Sequence, residues 1–148
     1  KGVERRFDFY IKNDRHVLLS DYAHHPNEIY HSARSIRQLY QNRKITAIFQ
    51  PHLYTRTRDF YKEFADALSQ LDEVILCDIY PAREEPIPGV TSKLIYDNLK
   101  EGVEKSLISK DEVIGLVKER DFDVLIVLGA GDLDNQVPQI ANIIEAKQ

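Results

Sequence analysis

Two periodicities of apolar residues run along this chain of 148 residues, and each predicts one kind of secondary structure. Residues 6–11 alternate between apolar and polar side chains, which is typical of a half-buried strand. Turn-forming residues at 13–14 separate this segment from a second strand at 16–20, so a hairpin is expected. Uninterrupted apolar runs predict three further, buried strands, at 45–49, 74–79 and 124–128.

The segments between these strands have the spacing of amphipathic helices, with apolar residues three or four positions apart. The first helix is expected to begin at Pro26, and a later one to be capped by Thr91 or Ser92. Other helices are predicted around 60–71, over 111–118 and over 133–144, with a short edge strand near 107–108. Because strands that alternate with helices form parallel βαβ units, we predict a three-layer α/β domain with a mostly parallel sheet and an N-terminal β-hairpin.

Composition narrows the class of protein. One domain is expected to span residues 1–148, and the net charge of −4 argues against nucleic acid and membrane surfaces as partners. The single cysteine, Cys77, lies in an apolar run and is expected to be a buried thiol in a reducing compartment. Neither a signal peptide nor a membrane span is recognisable, so a cytoplasmic location is predicted. The chain contains no methionine, and we therefore expect a fragment of a longer protein.

Polar residues are concentrated in four turns, each of which follows a predicted strand and precedes a helix. In a parallel sheet such turns meet at the carboxyl edge, where ligands bind in open α/β folds. Helix amino termini at this edge attract anions, and arginine side chains bind phosphate or carboxylate groups. The turns, at 21–28, 50–58, 78–85 and 129–132, therefore predict an anion-binding crevice, with cations supplied by Arg56, Arg58 and Arg83.

These residues also have other interpretations. In a purely structural one, histidines cap helices, arginines pair on the surface and glycines allow close packing. In another, imidazoles and carboxylates bind zinc or manganese, and the chain is a metal-dependent hydrolase using His24, His25, His52 and Asp78, although no His-x-x-x-His spacing is present. A third interpretation is that the chain is a non-catalytic nucleotide-binding module. The Gly-x-x-x-x-Gly-Lys-Ser/Thr loop is absent, so ATP is not expected to bind in the P-loop manner.

Across nearly the whole chain, blocks of sequence resemble the carboxy-terminal, Rossmann-like domain of the Mur ligases, and most of all the members that add L-alanine. The blocks are Arg-Arg-Phe-Asp at 5–8, Asp-Tyr-Ala-His-His-Pro-Asn-Glu at 21–28, Phe-Gln-Pro-His at 49–52, Tyr-Thr-Arg-Thr-Arg at 54–58, Tyr-Pro-Ala-Arg-Glu at 80–84, Pro-Ile-Pro-Gly at 86–89 and Gly-Ala-Gly-Asp at 129–132. The resemblance implies an ATP-dependent ligase of peptidoglycan synthesis in the bacterial cytoplasm. Its UDP-sugar domain and its central P-loop ATPase domain would lie outside this chain.

The resemblance also implies a reaction. ATP phosphorylates the lactyl carboxylate of UDP-N-acetylmuramate, and the amine of L-alanine attacks the resulting acyl phosphate. ATP and Mg²⁺ would be held mainly by the central domain, so the chain alone is expected to be inactive. A family member that recycles murein tripeptide onto the same sugar is the alternative.

Residue by residue, the resemblance assigns roles to the polar turns. Arg6 matches a catalytic arginine that reaches the ATP phosphates, and Asp21 an aspartate near the nucleotide ribose. His24 and Arg56 match catalytic residues of the pocket where the sugar's carboxyl group meets alanine. Substrate contacts are expected from Tyr22, His24, His25, His52, Arg56, Arg83 and Asp132.

One position departs from the family pattern. Leu53 stands where many alanine-adding relatives carry arginine, so fewer cations are expected to face the substrate. No residue is evident as the base for the alanine amine, whose proton is expected to leave to another domain or to water.

Overall fold

A single mixed sheet forms the middle layer of the molecule. The computed structural model describes residues 7–147. Their strands are β1 (Phe7–Lys12), β2 (Val17–Asp21), β3 (Ile45–Phe49), β4 (Glu73–Leu76), β5 (Glu104–Leu107) and β6 (Val124–Leu128). The sheet order is β1-β2-β6-β3-β4-β5, in which β1 is antiparallel to β2 and every other neighbouring pair is parallel. The predicted hairpin and mostly parallel sheet are therefore confirmed.

Helices cover both faces of this sheet. They are α1 (Pro26–Leu39), α2 (Tyr54–Leu68), α3 (Lys93–Asn98), α4 (Val113–Glu119) and α5 (Val137–Ala146). Short 3-10 turns at Lys110–Glu112 and Asp132–Gln136 lead into α4 and α5. Apolar side chains of α1, α2 and α3 pack against one face of the sheet, and those of α4 and α5 against the other, which confirms the three layers.

The buried strands explain the uninterrupted apolar runs. Neighbouring residues of a strand point to opposite faces, so Leu19 and Ala47 pack under α1 and α2, while Leu18 and Ile48 pack under α4 and α5. All four side chains are fully buried. A strand that is covered on both faces has no polar face, which is why β3 and β6 lack the alternation seen in β1.

The predicted boundary was wrong at the end of β4. β4 ends at Leu76 rather than at 79, and the carbonyl of Cys77, just beyond it, accepts from the Ser92 hydroxyl. Pro51, which follows β3, has no N–H with which to continue the ladder. The Ser92 side chain does not cap α3, whereas the Thr91 hydroxyl accepts from the N–H of Lys93 at 3.2 Å, which confirms Thr91 of the two predicted caps. The edge strand lies at Glu104–Leu107, next to the predicted 107–108.

Two further expectations concern environment. Cys77 is completely buried as predicted, and its burial raises the pKa of the thiol to about 12. No helix within residues 7–147 is both long enough and apolar enough to cross a lipid bilayer.

Candidate functional site

The strand order brings the polar turns together at the carboxyl edge. The N–H of Gly129, after β6, donates to the carbonyl of Asp21, at the end of β2, over 3.1 Å. The N–H of Gln50, after β3, donates to the carbonyl of Leu128 over 3.2 Å. His52 pairs with Tyr80, after β4, as an isolated parallel bridge. The prediction that these turns lie side by side is confirmed.

Two carboxylates make the first turn rigid. Asp21 is 2% exposed; its Oδ1 accepts from the N–H of Ala23 at 3.0 Å and its Oδ2 accepts from the hydroxyl of Ser32. The Oε1 of Glu28 accepts from the N–H groups of His24 and His25, at 3.0 and 3.1 Å. Backbone donors at the start of α1 are satisfied in this way, which holds both imidazoles in place.

Aromatic rings line the crevice in sequence from the first turn to the third. The His24 ring centroid lies 4.9 Å from that of His25 and 5.7 Å from that of His52. The His52 ring in turn lies 5.4 Å from the Tyr80 ring. Tyr22 is 62% exposed at the rim. Four of the predicted substrate residues, Tyr22, His24, His25 and His52, thus occupy one edge of the domain.

The second turn has an unusual backbone. Leu53 adopts φ 78° and ψ 136°, a conformation that is strained for a residue with a Cβ atom. It is held there because its N–H donates to the Tyr80 carbonyl at 2.8 Å and its carbonyl accepts from the Thr57 hydroxyl at 2.9 Å. Glu84 then accepts from the N–H of Tyr54 at 2.6 Å, at the start of α2. The strained turn places Arg56 in the first turn of that helix.

Arg56 and His52 carry polar atoms without partners. Buried Nη1 of Arg56 and buried Nδ1 of His52 have no hydrogen-bond partner within residues 7–147. Burial, followed by the charge of Arg56, lowers the pKa of His52, and partial desolvation and the same arginine lower the pKa of His25. The rings therefore favour the neutral form, and Arg56 supplies the fixed positive charge. A buried guanidinium N–H is normally satisfied, and an anionic oxygen is a group that fits it.

Close packing explains the glycines of the fourth turn. A Cβ atom on Gly129, whose φ is +134°, would lie 2.8 Å from the Gln50 carbonyl oxygen. On Gly131 it would lie 2.6 Å from the Oε1 of Gln50 and 2.9 Å from the Tyr80 ring. That Oε1 accepts from the N–H of Leu133 at 3.0 Å, so Gln50 ties the second turn to the fourth.

Other predicted residues stand apart from the rings. Asp132 pairs with Lys110 at 2.5 Å, and Arg83 is exposed. Arg58 pairs with its neighbour Asp59 at 2.9 Å, which agrees with the structural interpretation of the arginines as surface ion pairs. Arg6 lies outside the described residues. Within 7–147 no group of three or more histidine, cysteine, aspartate or glutamate side chains could hold a metal ion. The hydrolase alternative thus gains no support, and these residues do not fit a magnesium site either.

Four residues of the site had no predicted role: Glu28, Gln50, Tyr80 and Glu84. The spacing of Glu28 from the start of α1 is a recognisable capping signal. Glu84 offers no such signal, because it is 30 positions from the N–H that it accepts from. Gln50 and Tyr80 act across strands, and only the sheet order reveals their contacts.

Fold and site together are those of an α/β domain with a crevice at the carboxyl edge of its sheet, lined by histidine rings. The chain belongs to the Mur ligase family: residues 5–131 match the family model for the Mur ligase, glutamate ligase domain. The predicted family is therefore confirmed.

Individual relatives agree with this family. The UDP-N-acetylmuramate–L-alanine ligase of Phocaeicola vulgatus is 66% identical over 99% of this chain and 32% of its own length. A solved UDP-N-acetylmuramate-alanine ligase from Thermotoga maritima is 26% identical, with a TM-score of 0.75 over 97% of this chain and 30% of that one. A murein peptide ligase from Psychrobacter arcticus, 16% identical with a TM-score of 0.69 over 95% of this chain and 30% of that one, shares the fold. The chain thus spans about a third of the length of the curated relatives it matches.

Proposed function

We propose that this chain is the acceptor-binding domain of an ATP-dependent ligase that joins L-alanine to the lactyl carboxylate of UDP-N-acetylmuramate through an acyl phosphate. The observation that carries the proposal is the buried, unpartnered guanidinium nitrogen of Arg56, whose charge acts on the His52 ring beside His24. Similarity to a relative of that name at 66% identity supports the choice of substrates.

The chemistry of the substrates suits this crevice. L-Alanine carries a carboxylate, for which a guanidinium offers a planar pair of donors. Attack of its amine on the acyl phosphate produces a tetrahedral intermediate with a charged oxygen. A fixed cation in a partly desolvated site stabilises such a charge, because no solvent needs to reorganise as the charge develops. Arg56 is the group in this crevice that meets both requirements.

Further roles follow from the same proposal. Asp21 would accept hydroxyl hydrogen bonds from the nucleotide ribose, since each carboxylate oxygen can accept more than one. Tyr22 and His25 would line the acceptor pocket, Arg83 and Asp132 its periphery, and Arg6 would reach the ATP phosphates.

Other domains of the ligase would supply what this chain lacks. One would hold the UDP-sugar, and a central ATPase domain would hold ATP and Mg²⁺, in the bacterial cytoplasm. The chain by itself would then be inactive, and phosphate release from ATP by the purified chain would contradict this division of roles.

A transplant enzyme tests the proposal. In it, this chain replaces the matching third of the Phocaeicola vulgatus relative, and amide formation is measured with L-alanine and with murein tripeptide. We expect ligation of L-alanine in preference to the tripeptide. Arg56→Ala should lower kcat/KM for L-alanine by about 10²–10³-fold. Arg58→Ala, which removes an exposed arginine paired with Asp59, is the matched control and should leave the rate unchanged. An inactive transplant, or one that uses only the tripeptide, would refute the proposal.

A further inference from the structure

The first turn determines which nitrogen of His24 carries a proton. Its Nδ1 lies 3.0 Å from the carbonyl oxygen of Tyr22. A carbonyl oxygen only accepts hydrogen bonds, so Nδ1 donates, and Nε2 of the neutral ring then holds an unshared electron pair. Oε1 of Glu28, at 3.6 Å from Nδ1, favours the same tautomer. His24 therefore offers a proton acceptor to the crevice.

The surroundings of the ring leave Nε2 accessible. The His24 side chain retains 32% of its exposure, and Nε2 forms no hydrogen bond within residues 7–147. The charged and titratable groups around the ring are His25 from the same turn, Glu28 from α1, which lies beside Nδ1, and His52 from the turn after β3. Arg56 from α2 acts on the two neighbouring histidines. Only Glu28 among them is an anion.

Neighbouring groups are less suited to accept a proton. Asp21 is buried and bonded to Ala23 and Ser32. Glu28 is bonded to two backbone N–H groups. Burial and the charge of Arg56 disfavour a proton on His52, and the same influences act on His25. An imidazole is also the side chain best matched to proton transfer near neutral pH, which leaves His24.

We propose that Nε2 of His24 is the general base that takes a proton from the amine of the incoming amino acid. Glu28 is the positioning residue, because it favours the tautomer with the proton on Nδ1. This proposal rests on the proposed ligase function. An amino acid arrives as an ammonium ion and becomes a nucleophile only when it loses a proton. Nε2 accepts that proton, and the nitrogen lone pair attacks the carbonyl carbon of the acyl phosphate. The carbon–oxygen bond to phosphate then breaks with its electron pair, and a second amine proton leaves with the phosphate as HPO₄²⁻.

This assignment gives both ends of a zwitterionic substrate a complementary partner. The carboxylate meets the unpartnered Nη1 donor of Arg56, and the ammonium group meets an acceptor on His24. The ring separation of 5.7 Å between His24 and His52 spans a distance that a small amino acid can bridge.

The tautomer can be measured on the 148-residue chain itself. Long-range ¹H–¹⁵N NMR spectra should show His24 protonated at Nδ1 and unprotonated at Nε2 in its neutral form. Glu28→Gln should lower the population of this tautomer, because it removes the anion beside Nδ1. A neutral His24 that is protonated at Nε2 would overturn the proposal, whatever the activity of the enzyme.

The pH dependence of the transplant enzyme tests the catalytic role. His24→Asn keeps a donor for the Tyr22 carbonyl and removes the base, so kcat/KM for L-alanine should fall by about 10²–10⁴-fold at pH 7. The deficit should shrink as pH rises, since the free-amine fraction of alanine grows about tenfold per pH unit below its pKa. His31→Asn, on the exposed side of α1, is the control and should match the wild type.

The possible failures are distinguishable. An inactive wild-type transplant contradicts the ligase function itself. An active transplant in which the His24→Asn deficit is the same at every pH retains that function and overturns only the role of His24 as the base.

Discussion

The two edges of the sheet differ in how their polar side chains are satisfied. At the amino edge every cation named here has a carboxylate partner: Arg120 with Glu73 at 2.8 Å, Arg37 with Asp72 at 2.8 Å, Arg43 with Asp123 at 2.6 Å, and Lys44 with Glu104 at 2.8 Å. At the carboxyl edge Arg56 and His52 keep buried atoms without partners within residues 7–147. The difference separates charges that stabilise the fold from charges that are available to a ligand.

Among the effects on stability, the largest is expected from the ion pairs of the amino edge. Arg120→Ala would leave Glu73, which is 5% exposed, with Lys44 at 3.7 Å as its remaining cation and the Thr46 hydroxyl, at 3.2 Å, as its remaining side-chain donor. We expect the free energy of unfolding to fall by about 2–3 kcal/mol, less than for a fully buried pair because Arg120 is partly exposed. Arg56→Ala removes no hydrogen bond from Nη1 and should change that free energy by less than about 1 kcal/mol. Urea denaturation of the 148-residue chain measures both.

Measuring the stability of the wild type and of Arg120→Ala at acidic pH provides the control for this comparison. Hydrogen bonds from Arg120 hold the pKa of Glu73 below its usual range. A carboxyl group with a lowered pKa in the folded state stabilises it above the pKa of the unfolded chain, and this contribution is lost as pH falls through the folded pKa. The difference between wild type and Arg120→Ala should therefore shrink below about pH 4. Equal losses for Arg120→Ala and Arg56→Ala at pH 7 would contradict the distinction between the edges.

A smaller effect is expected from the close approach in the fourth turn. Gly131→Ala would place a Cβ atom 2.6 Å from Oε1 of Gln50, so the amide would have to move and its bond to Leu133 would weaken. We expect a loss of about 1–3 kcal/mol by thermal unfolding. Gly115→Ala, in the exposed part of α4 with open space around the glycine, is the matched control and should raise stability by up to about 1 kcal/mol. Similar melting temperatures for the two variants would argue against a packed turn.

Backbone strain at Leu53 should give the smallest effect. Leu53→Ala removes the side chain and keeps the Cβ atom at φ 78°, whereas Leu53→Gly removes both. Glycine normally costs stability relative to alanine, but here we expect Leu53→Gly to be the more stable variant by about 1 kcal/mol. A more stable Leu53→Ala would show that the turn before α2 is not strained.

The sequence predicted the fold more completely than the contacts of the site. Uninterrupted apolar runs located β3 and β6 at their observed bounds, because a strand that is buried on both faces contains almost no polar residues. The end of β4 was missed because the apolar run continues past Leu76, whereas the carbonyl of Cys77 pairs with the Ser92 hydroxyl, fifteen residues away. Contacts such as Gln50 with Leu133 join residues 83 positions apart, and no local pattern encodes them.

The same limit applied to the chemistry of the histidines. Their concentration at one strand end predicted a site, but the neutral preference of His52 arises from its burial and from Arg56, which only the folded turn brings together. The acceptor nitrogen of His24 likewise depends on where the Tyr22 carbonyl lies.

The most direct test of the different roles of the two edges uses the transplant enzyme with either Arg56→Ala or Arg120→Ala. The rate of L-alanine ligation and the melting temperature are measured on the same samples. Arg56→Ala should keep its melting temperature and lose kcat/KM for L-alanine by about 10²–10³-fold, while Arg120→Ala should melt earlier and retain its rate at temperatures where it is folded. An Arg56→Ala enzyme that ligates L-alanine at the wild-type rate would contradict the account.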